Sequence, residues 1–380
     1  MESKKQGKNQ RFLSPSFKKG AIKETKKNED FHINLMGIGS DSDENSSPKP
    51  HNSKSKRLSL NDNNYPQKKR DQGVSSQNKK IDPSSLGKGT IKNLAYFSQA
   101  GKGEDGFTKI NQDSYLVIPN EYKLNDFNIF AVMDGHGLNG HLVSQFCTKY
   151  FTSYFAKHKK LNQLTDEESV YNALKKNNYE IIKKAFHKAE KEISKSDIDA
   201  NFSGTTCVMT FQLGKKLITA NVGDSRGIIV KGDKAIPLSI DQKPNNENEM
   251  KRILKNGGEV SQYEEDGIKS GPYRVWKKGE MYPGIAMSRS IGDLLASTLG
   301  VIPEPEFIET EIDKDTKFII LASDGVWEFL DNQKVKDLVM PYYKKNDPEG
   351  ACKLLISEST KWWNEEDIVV DDITVICLFF

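Results

Sequence analysis

The stretch Phe130-Ala131-Val132-Met133-Asp134-Gly135-His136-Gly137 places a carboxylate directly after an apolar, strand-like run. Similar apolar runs lead into Asp224 and Asp324, and Asp371 and Asp372 come immediately before another. A carboxylate is costly to bury without a partner, so several of them at strand ends require solvent or a cation. Clusters of oxygen ligands suit hard divalent ions such as Mg²⁺ and Mn²⁺. The pattern therefore indicates metal-assisted chemistry on phosphate.

Charge divides the chain of 380 residues into two parts. Residues 1–90 hold 19 Lys and Arg against 10 Asp and Glu, and the remainder holds 37 against 43. The basic part is rich in polar residues and lacks apolar periodicity, so it cannot offset its ordering entropy by burial. We predict a basic, low-complexity, disordered tail over 1–92 and a folded domain over 93–380.

The apolar periodicity of the folded part predicts hairpin-paired strands and separate blocks of helix, which is typical of an α+β fold. The region 241–285 is broken by Gly257-Gly258 and Gly271-Pro272, and it predicts a short helix followed by a large irregular insertion. Outside this region, the predicted strands are 113–118, 128–133, 205–213, 217–222, 227–230, 318–322 and 373–380. The other predicted helices begin near Leu142, at Thr165 with Glu168 as a capping box, near Gln333 and at Pro348.

His136 follows Asp134 by two residues and titrates in a range that suits proton transfer. It could protonate the leaving oxygen of a phosphate ester, or it could instead form a hydrogen bond that orients a metal ligand. The four cysteines are widely spaced and lie in apolar contexts, which predicts reduced thiols in the core.

Eight motifs together resemble those of the metal-dependent serine/threonine protein phosphatases of the PP2C (PPM) family, in the family's order over about 93–380. They are Asn111-Gln112-Asp113, Asp134-Gly135-His136-Gly137, Ser203-Gly204-Thr205-Thr206, Asn221-Val222-Gly223-Asp224-Ser225-Arg226, Asp241-Gln242-Lys243-Pro244, the stretch 284–293 (GIAMSRSIGD), Ala322-Ser323-Asp324-Gly325-Val326-Trp327 and Asp371-Asp372-Ile373-Thr374-Val375.

The resemblance implies an α-β-β-α sandwich, in which two antiparallel sheets are flanked by helices and the metal ions lie in the cleft. It implies that Asp134 bridges two ions, that Asp324 and Asp371 complete one site, and that Asp113 and the Gly135 carbonyl serve the other. Asp224 would join Asp324 at a third, weaker ion. Arg289 and Asp293 would support the cleft without binding the ions, and the region 241–285 would form the flap that shapes substrate access.

The chain departs from the family pattern at one position that matters for the substrate. Thr108 stands where members usually carry the Arg or Lys that binds substrate phosphate. Lysine is a point charge without arginine's bidentate fork. We therefore predict weaker phosphate binding, or compensation by Lys109 or Lys102. Leu138 and Asp372 also replace the usual Gly and Asn, and neither change removes a metal ligand.

The predicted function is hydrolysis of phosphoserine and phosphothreonine in proteins, with two or three Mg²⁺ or Mn²⁺ ions, a metal-activated water and His136 as general acid. One alternative is a pseudophosphatase that acts as a binding or scaffold module, for which Thr108 is the only mark. Another is a phosphatase for small phosphoesters. Phosphorylated proteins are the expected partners, with no membrane or nucleic-acid partner, and a monomer is the default.

The tail carries Lys56-Arg57 and Lys68-Lys69-Arg70 at the spacing of a bipartite nuclear signal. Solvated basic disorder explains the same residues, and we favour that interpretation. Ser14 and Ser59 stand in contexts that kinases recognise. The predicted location is the cytoplasm, and the bipartite spacing leaves the nucleus open.

Overall fold

Two five-stranded antiparallel sheets dominate the computed structural model, which describes residues 89–119, 124, 126–367 and 369–380. The predictions for the tail before residue 89 lie outside the described residues. The strands are β1 Asn93–Gln99, β2 Ser114–Ile118, β3 Phe127–Met133, β4 Gly135–His136, β5 Gly204–Thr205, β6 Cys207–Leu213, β7 Lys216–Val222, β8 Arg226–Lys231, β9 Lys234–Pro237, β10 Gly258–Glu265, β11 Ile268–Lys277, β12 Pro283–Ile285, β13 Ile291–Gly292, β14 Glu306–Glu311, β15 Thr316–Ala322 and β16 Ile373–Phe379. The helices are α1 Gly140–Ala156, α2 Glu167–Ile193, α3 Glu247–Lys255, α4 Leu294–Ser297, α5 Asp324–Trp327, α6 Asn332–Lys344 and α7 Pro348–Glu366.

The two large sheets pack face to face between layers of helix. One sheet has the order β1-β16-β15-β8-β9 and the other the order β14-β7-β6-β3-β2. A core between the sheets includes Val132, Val208 and Ile319, whereas separate cores lie under α1 with α2 and under α6 with α7. This arrangement confirms the predicted α+β class and the sandwich that the resemblance implies.

Strand β3 shows why its sequence is apolar at every position except Asn128. Ile129, Ala131 and Met133 belong to the helix-side core, and Phe130 and Val132 belong to the core between the sheets. Successive side chains of a strand point to opposite faces, so both faces of β3 are buried. By the same alternation, the next position on the inter-sheet side is 134, at the end of the seam between the sheets.

The insertion that was predicted to be irregular is ordered, and that prediction is wrong. After the expected short helix α3, strands β10, β11 and β12 form a three-stranded antiparallel sheet. Most side chains of β10 and the first half of β11 are exposed on both faces. Without a buried face there is no apolar alternation in the sequence, and therefore the pattern that predicts a strand is missing.

The start of α2 also differs from the prediction. The cap is Asp166, whose carboxylate accepts a hydrogen bond from the Ser169 amide at 2.8 Å, and not Thr165. Glu168 forms an ion pair with Lys216 at 2.6 Å, so it is not free to complete a capping box. The prediction also missed a non-helical turn at Lys176–Tyr179 within α2, and it missed β9 and β14.

A buried acid connects α3 to the segment before α4. Glu249 of α3 accepts hydrogen bonds from the guanidinium groups of Arg252 and Arg289 and, at 2.6 Å, from the Ser288 hydroxyl. Burial alone would raise its pKa, but these donors outweigh burial and lower it to about 2. The ionised form is therefore strongly favoured in the folded protein.

We predict that Glu249→Gln destabilises the protein by roughly 3 kcal/mol at neutral pH, because buried Arg289 and partly buried Arg252 lose the counter-charge that they share. The folded pKa lies below the usual 4.5, so this stability is present above pH 4.5 and is lost as the pH falls towards 2. Urea unfolding at pH 7 and at pH 4 measures the difference. Glu247→Gln on the exposed face of the same helix is the control, and an equal effect of both variants would contradict the prediction.

Candidate active site

The ends of β3 and β15 and the starts of β2 and β16 bring four carboxylates together. The pKa of Asp134 is raised well above its usual value, first by burial and then by the charges of Asp324, Asp113 and Asp371. The pKa of Asp324 is raised to about 7, by burial and by the charges of Asp224 and Asp371. The predicted ligands Asp113, Asp134, Asp324 and Asp371 are thus electrostatic neighbours, with Asp224 beside them.

The site fits a cation better than it fits protons alone. Asp113, Asp224 and Asp324 each have one buried oxygen, Oδ1, without a hydrogen-bond partner among the described residues. Within the part of the chain that the structure describes, no three His, Cys, Asp or Glu side chains form a ready-made metal site. An ion bound here would therefore take further ligands from water or from a backbone carbonyl such as that of Gly135.

Asp134 is held by the motif Ser203-Gly204-Thr205-Thr206. The Asp134 amide donates to Thr206 Oγ1 at 3.0 Å, and its carbonyl accepts from the Thr206 amide at 2.9 Å and from Thr205 Oγ1 at 3.0 Å. Both backbone polar groups of Asp134 are thus satisfied without its carboxylate. The close packing beyond it requires glycine at position 135, where a Cβ would lie 2.4 Å from the Gly140 carbonyl oxygen.

Asp372 acts on the backbone, whereas its neighbour Asp371 belongs to the acidic cluster. Asp372 accepts hydrogen bonds from the amides of Gly101 at 2.7 Å and Gln112 at 2.9 Å. These bonds pin both ends of the segment 101–112 against the start of β16. Asp113 is fixed in turn by the Ser323 hydroxyl, which donates to its Oδ2 at 2.7 Å.

Two lysines contribute positive charge to the acidic cluster. Lys109 Nζ lies 2.9 Å from Asp371 Oδ1, so the structure places the predicted phosphate-binding lysine at the edge of the carboxylates. Lys243 Nζ lies 2.5 Å from Asp224 Oδ2. Lys243 lies in the motif Asp241-Gln242-Lys243-Pro244, and no role was predicted for it because its partner Asp224 is distant in the sequence.

His136 and Asp293 form a partly buried pair. His136 Nε2 lies 2.6 Å from Asp293 Oδ2, and no described atom makes a hydrogen bond with Nδ1. Burial alone would lower the pKa of His136, but the Asp293 carboxylate outweighs burial and raises it. The imidazole is therefore held in a fixed orientation, and its protonated form is favoured.

Arg289 makes its contacts outside the acidic cluster. Besides Glu249, it donates to the Glu304 carbonyl at 2.8 Å and pairs with Glu306 at 2.7 Å. Arg289 thus ties α3 to the segment before β14, whereas Asp293 touches His136 directly. The two residues that were predicted to share a supporting role have distinct ones.

Comparisons with known proteins show the family and the fold of the chain. The family model described as "Protein phosphatase 2C" matches residues 99–367. Similar relatives from Arabidopsis thaliana are "Probable protein phosphatase 2C 35" (34% identical, covering 73% of this chain and 81% of the relative) and "Probable protein phosphatase 2C 72" (33% identical, covering 72% and 82%). In fold, the chain is similar to a serine-threonine phosphatase 2C from Toxoplasma gondii, with a TM-score of 0.64 and 18% identity over 80% of this chain and 99% of that one. None of the described helices has the length and apolar character needed to cross a membrane.

We predict that Gly204→Ala separates His136 from Asp293. A Cβ at position 204 would lie 2.0 Å from Asp293 Oδ2 and 2.9 Å from His136 Nε2, so one of these groups must move. With the carboxylate displaced, the pKa of His136 falls towards the value that burial alone would give. An NMR titration of the imidazole measures this shift.

Gly232→Ala is the surface control for this titration, because the space around Gly232 is open. Unlike Gly204, Gly232 has a left-handed backbone (φ 55°), so this substitution strains the fold away from His136. It should cost about 1 kcal/mol of stability and leave the His136 titration unchanged. An unchanged pKa of His136 in the folded Gly204→Ala variant would show that Asp293 does not govern the imidazole.

Proposed function

The chain belongs to the protein phosphatase 2C family and is a protein serine/threonine phosphatase, and from that premise we propose how it hydrolyses its substrates. The family is metal-dependent, and we propose two Mg²⁺ or Mn²⁺ ions at the acidic cluster. The observation that carries the proposal is the meeting of carboxylates at four strand ends, where the buried Oδ1 of Asp113 and of Asp324 has no hydrogen-bond partner among the described residues. Burial and neighbouring charges raise the pKa of Asp134 and Asp324, and a divalent cation would reverse that effect.

Each carboxylate has a proposed place. Asp134 would bind both ions, Asp324 and Asp371 would complete one site, and Asp113 with the Gly135 carbonyl would complete the other. The partnerless Oδ1 atoms of Asp113 and Asp324 support this assignment. Asp224 would join Asp324 at a third ion, but Lys243 already holds its Oδ2, which supports a weaker site.

The ions, when bound, supply an activated water and neutralise charge on the phosphate. The chain's own residues then assist the leaving group, which is the serine or threonine oxygen. Water provides the new oxygen on phosphorus, the bond from phosphorus to the serine or threonine oxygen breaks, and that oxygen takes a proton. His136 holds this proton at Nδ1, the nitrogen that Asp293 does not engage, and Asp293 stabilises the imidazolium.

Lys109 is the proposed phosphate contact, because Thr108 stands where members of the family usually carry an arginine or a lysine for this purpose. The Lys109 side chain is 30% exposed at the edge of the cluster, and burial alone would lower its pKa. The charge and hydrogen bond of Asp371 outweigh burial and raise the pKa, so the lysine stays charged. A charged, accessible donor at this edge supports contact with a phosphate oxygen.

We predict that Asp134→Asn abolishes turnover of a phosphothreonine peptide with Mn²⁺, by at least about 10³-fold, because the bridging carboxylate is lost. The same change should raise the melting temperature in chelator, since removing one charge relieves repulsion in the metal-free cluster. Phosphate release and thermal unfolding, each with Mn²⁺ and with chelator, measure the two effects.

A folded Asp134→Asn variant that kept wild-type turnover would contradict the metal centre. Glu247→Gln, which changes an exposed acid on α3, serves as the control and should alter neither property. Turnover by the wild type in excess chelator would contradict metal dependence without bearing on the role of His136.

We predict that Lys109→Ala raises KM for a phosphopeptide by about three- to tenfold with a smaller change in kcat, since it removes a ground-state contact. Thr108→Arg in that background should restore binding, because arginine supplies the bidentate fork. Steady-state kinetics at saturating Mn²⁺ measure both. A KM that is unaffected by removing Lys109 and Lys102 together would overturn the compensation by lysine.

A further inference from the structure

Large apolar side chains are exposed beside the residues of the proposed site. Phe107 is 75% exposed, Ile110 68%, Leu138 86% and Phe202 54%. Ile110 adjoins Lys109, Leu138 follows His136 by two residues, and Phe202 packs on the turn that contains Leu138. We call Phe107, Ile110, Leu138 and Phe202 the apolar rim.

Leu138 stands on a turn that is fixed on both sides. Gly137 adopts a left-handed backbone (φ 79°), and its carbonyl accepts a hydrogen bond from Gln112 Nε2 at 2.8 Å. The Asn139 amide donates to Ser203 Oγ at 2.9 Å. The hydrogen-bonded backbone therefore keeps the Leu138 side chain exposed to solvent.

Phe202 continues the same surface towards the flap. A Cβ at Gly137 would lie only 2.0 Å from the Phe202 carbonyl oxygen, so the two backbones are in direct contact. The Phe202 ring meets the ring of Tyr282 edge to face, with 6.3 Å between centroids. The side of the site that carries His136 is thus bordered by apolar groups from three segments of the chain.

Phe107 and Ile110 stand on the segment that carries Lys109. The Gly103 amide donates to the Phe107 carbonyl at 2.9 Å, and the Lys109 amide donates to the Gly101 carbonyl at 3.0 Å. Gly101 is itself held by Asp372. This segment is therefore also pinned, and it displays two apolar side chains next to the proposed phosphate contact.

We propose that the apolar rim binds apolar side chains that flank the phosphoserine or phosphothreonine of a protein substrate. The inference rests on the proposed function, since Ile110 adjoins the proposed phosphate contact Lys109 and Leu138 follows the proposed general acid His136 by two residues. An extended peptide advances about 3.3 Å per residue, so only residues near the phosphorylated one can reach side chains that stand beside Lys109 and His136 in the chain. Preorganised apolar groups gain from burial without first losing backbone freedom.

The test compares two phosphothreonine peptides of equal length and net charge. One carries Leu or Phe at the two positions on each side of the phosphothreonine, and the other carries Ser or Gln there. Each kcat/KM is measured at saturating Mn²⁺ and divided by the rate of the same protein on phenyl phosphate. We expect the wild type to prefer the apolar peptide about tenfold, which is the effect of burying one or two side chains in part.

Variants locate the preference. Leu138→Ser should reduce the ratio to about threefold or less, and Phe107→Ser combined with Leu138→Ser should bring it to about one. Ile236→Ser on the edge strand β9 removes an exposed isoleucine outside the rim, and it should keep the tenfold preference. A ratio that stays near ten in the double variant would overturn the assignment of the rim.

Equal kcat/KM values for both peptides in the wild type would overturn this inference and leave the proposed function standing. No hydrolysis of either peptide or of phenyl phosphate would instead contradict the proposed function. Light scattering at the assay concentration adds a separate outcome. A dimer that Leu138→Ser dissociates, without any peptide preference, would show that a second copy covers the rim and would overturn its role in substrate binding.

Discussion

Repulsion among carboxylates at the end of the seam between the two sheets is the constraint on which the rest of this site depends. Burial and neighbouring charges raise the pKa of Asp113, Asp134 and Asp324 in the protein alone. A fold held together by its own contacts would not place these groups side by side, because each raises the cost of ionising the next. The cluster costs stability in the absence of cations, and relief of this repulsion would favour the binding of the proposed divalent ions.

The surrounding structure offsets that cost with contacts that do not use up the carboxylates. Thr205 and Thr206 satisfy the backbone of Asp134, and Asp372 takes the amides of Gly101 and Gln112. Lys109 and Lys243 each neutralise one oxygen at the margin of the cluster. The rigid sheets thus fix the positions of the acids, while partnerless oxygens remain available for ligands.

The pair formed by His136 and Asp293 shows how close packing sets the properties of a titratable group. Gly204 of β5 lies between β4, which carries His136, and β13, which Asp293 follows. Because Gly204 has no side chain, the Asp293 carboxylate and the His136 imidazole can meet over it. The glycine, the histidine and the aspartate are distant in sequence and meet only because β5 pairs with both neighbouring strands. The apolar rim has a similar origin, since Phe202 and Leu138 come together where the segment before β5 packs on the turn after β4.

Local sequence determined the strands that are buried on both faces and the helices that bury one apolar face. The runs 128–133, 217–222, 318–322 and 373–380 predicted β3, β7, β15 and β16 because most of their side chains are apolar, and the carboxylates that end or begin these strands were readable as candidate ligands. The sequence could not predict β10 and β11, whose exposed faces carry no alternation, or the cap at Asp166, which competes with Thr165 within one residue. Tertiary structure alone decided that Lys243 pairs with Asp224, that Asp293 holds His136 and that Arg289 serves Glu249 instead of the cleft. The physical reason is that each of these partnerships joins groups far apart in the chain, and no local periodicity records which strand ends will meet.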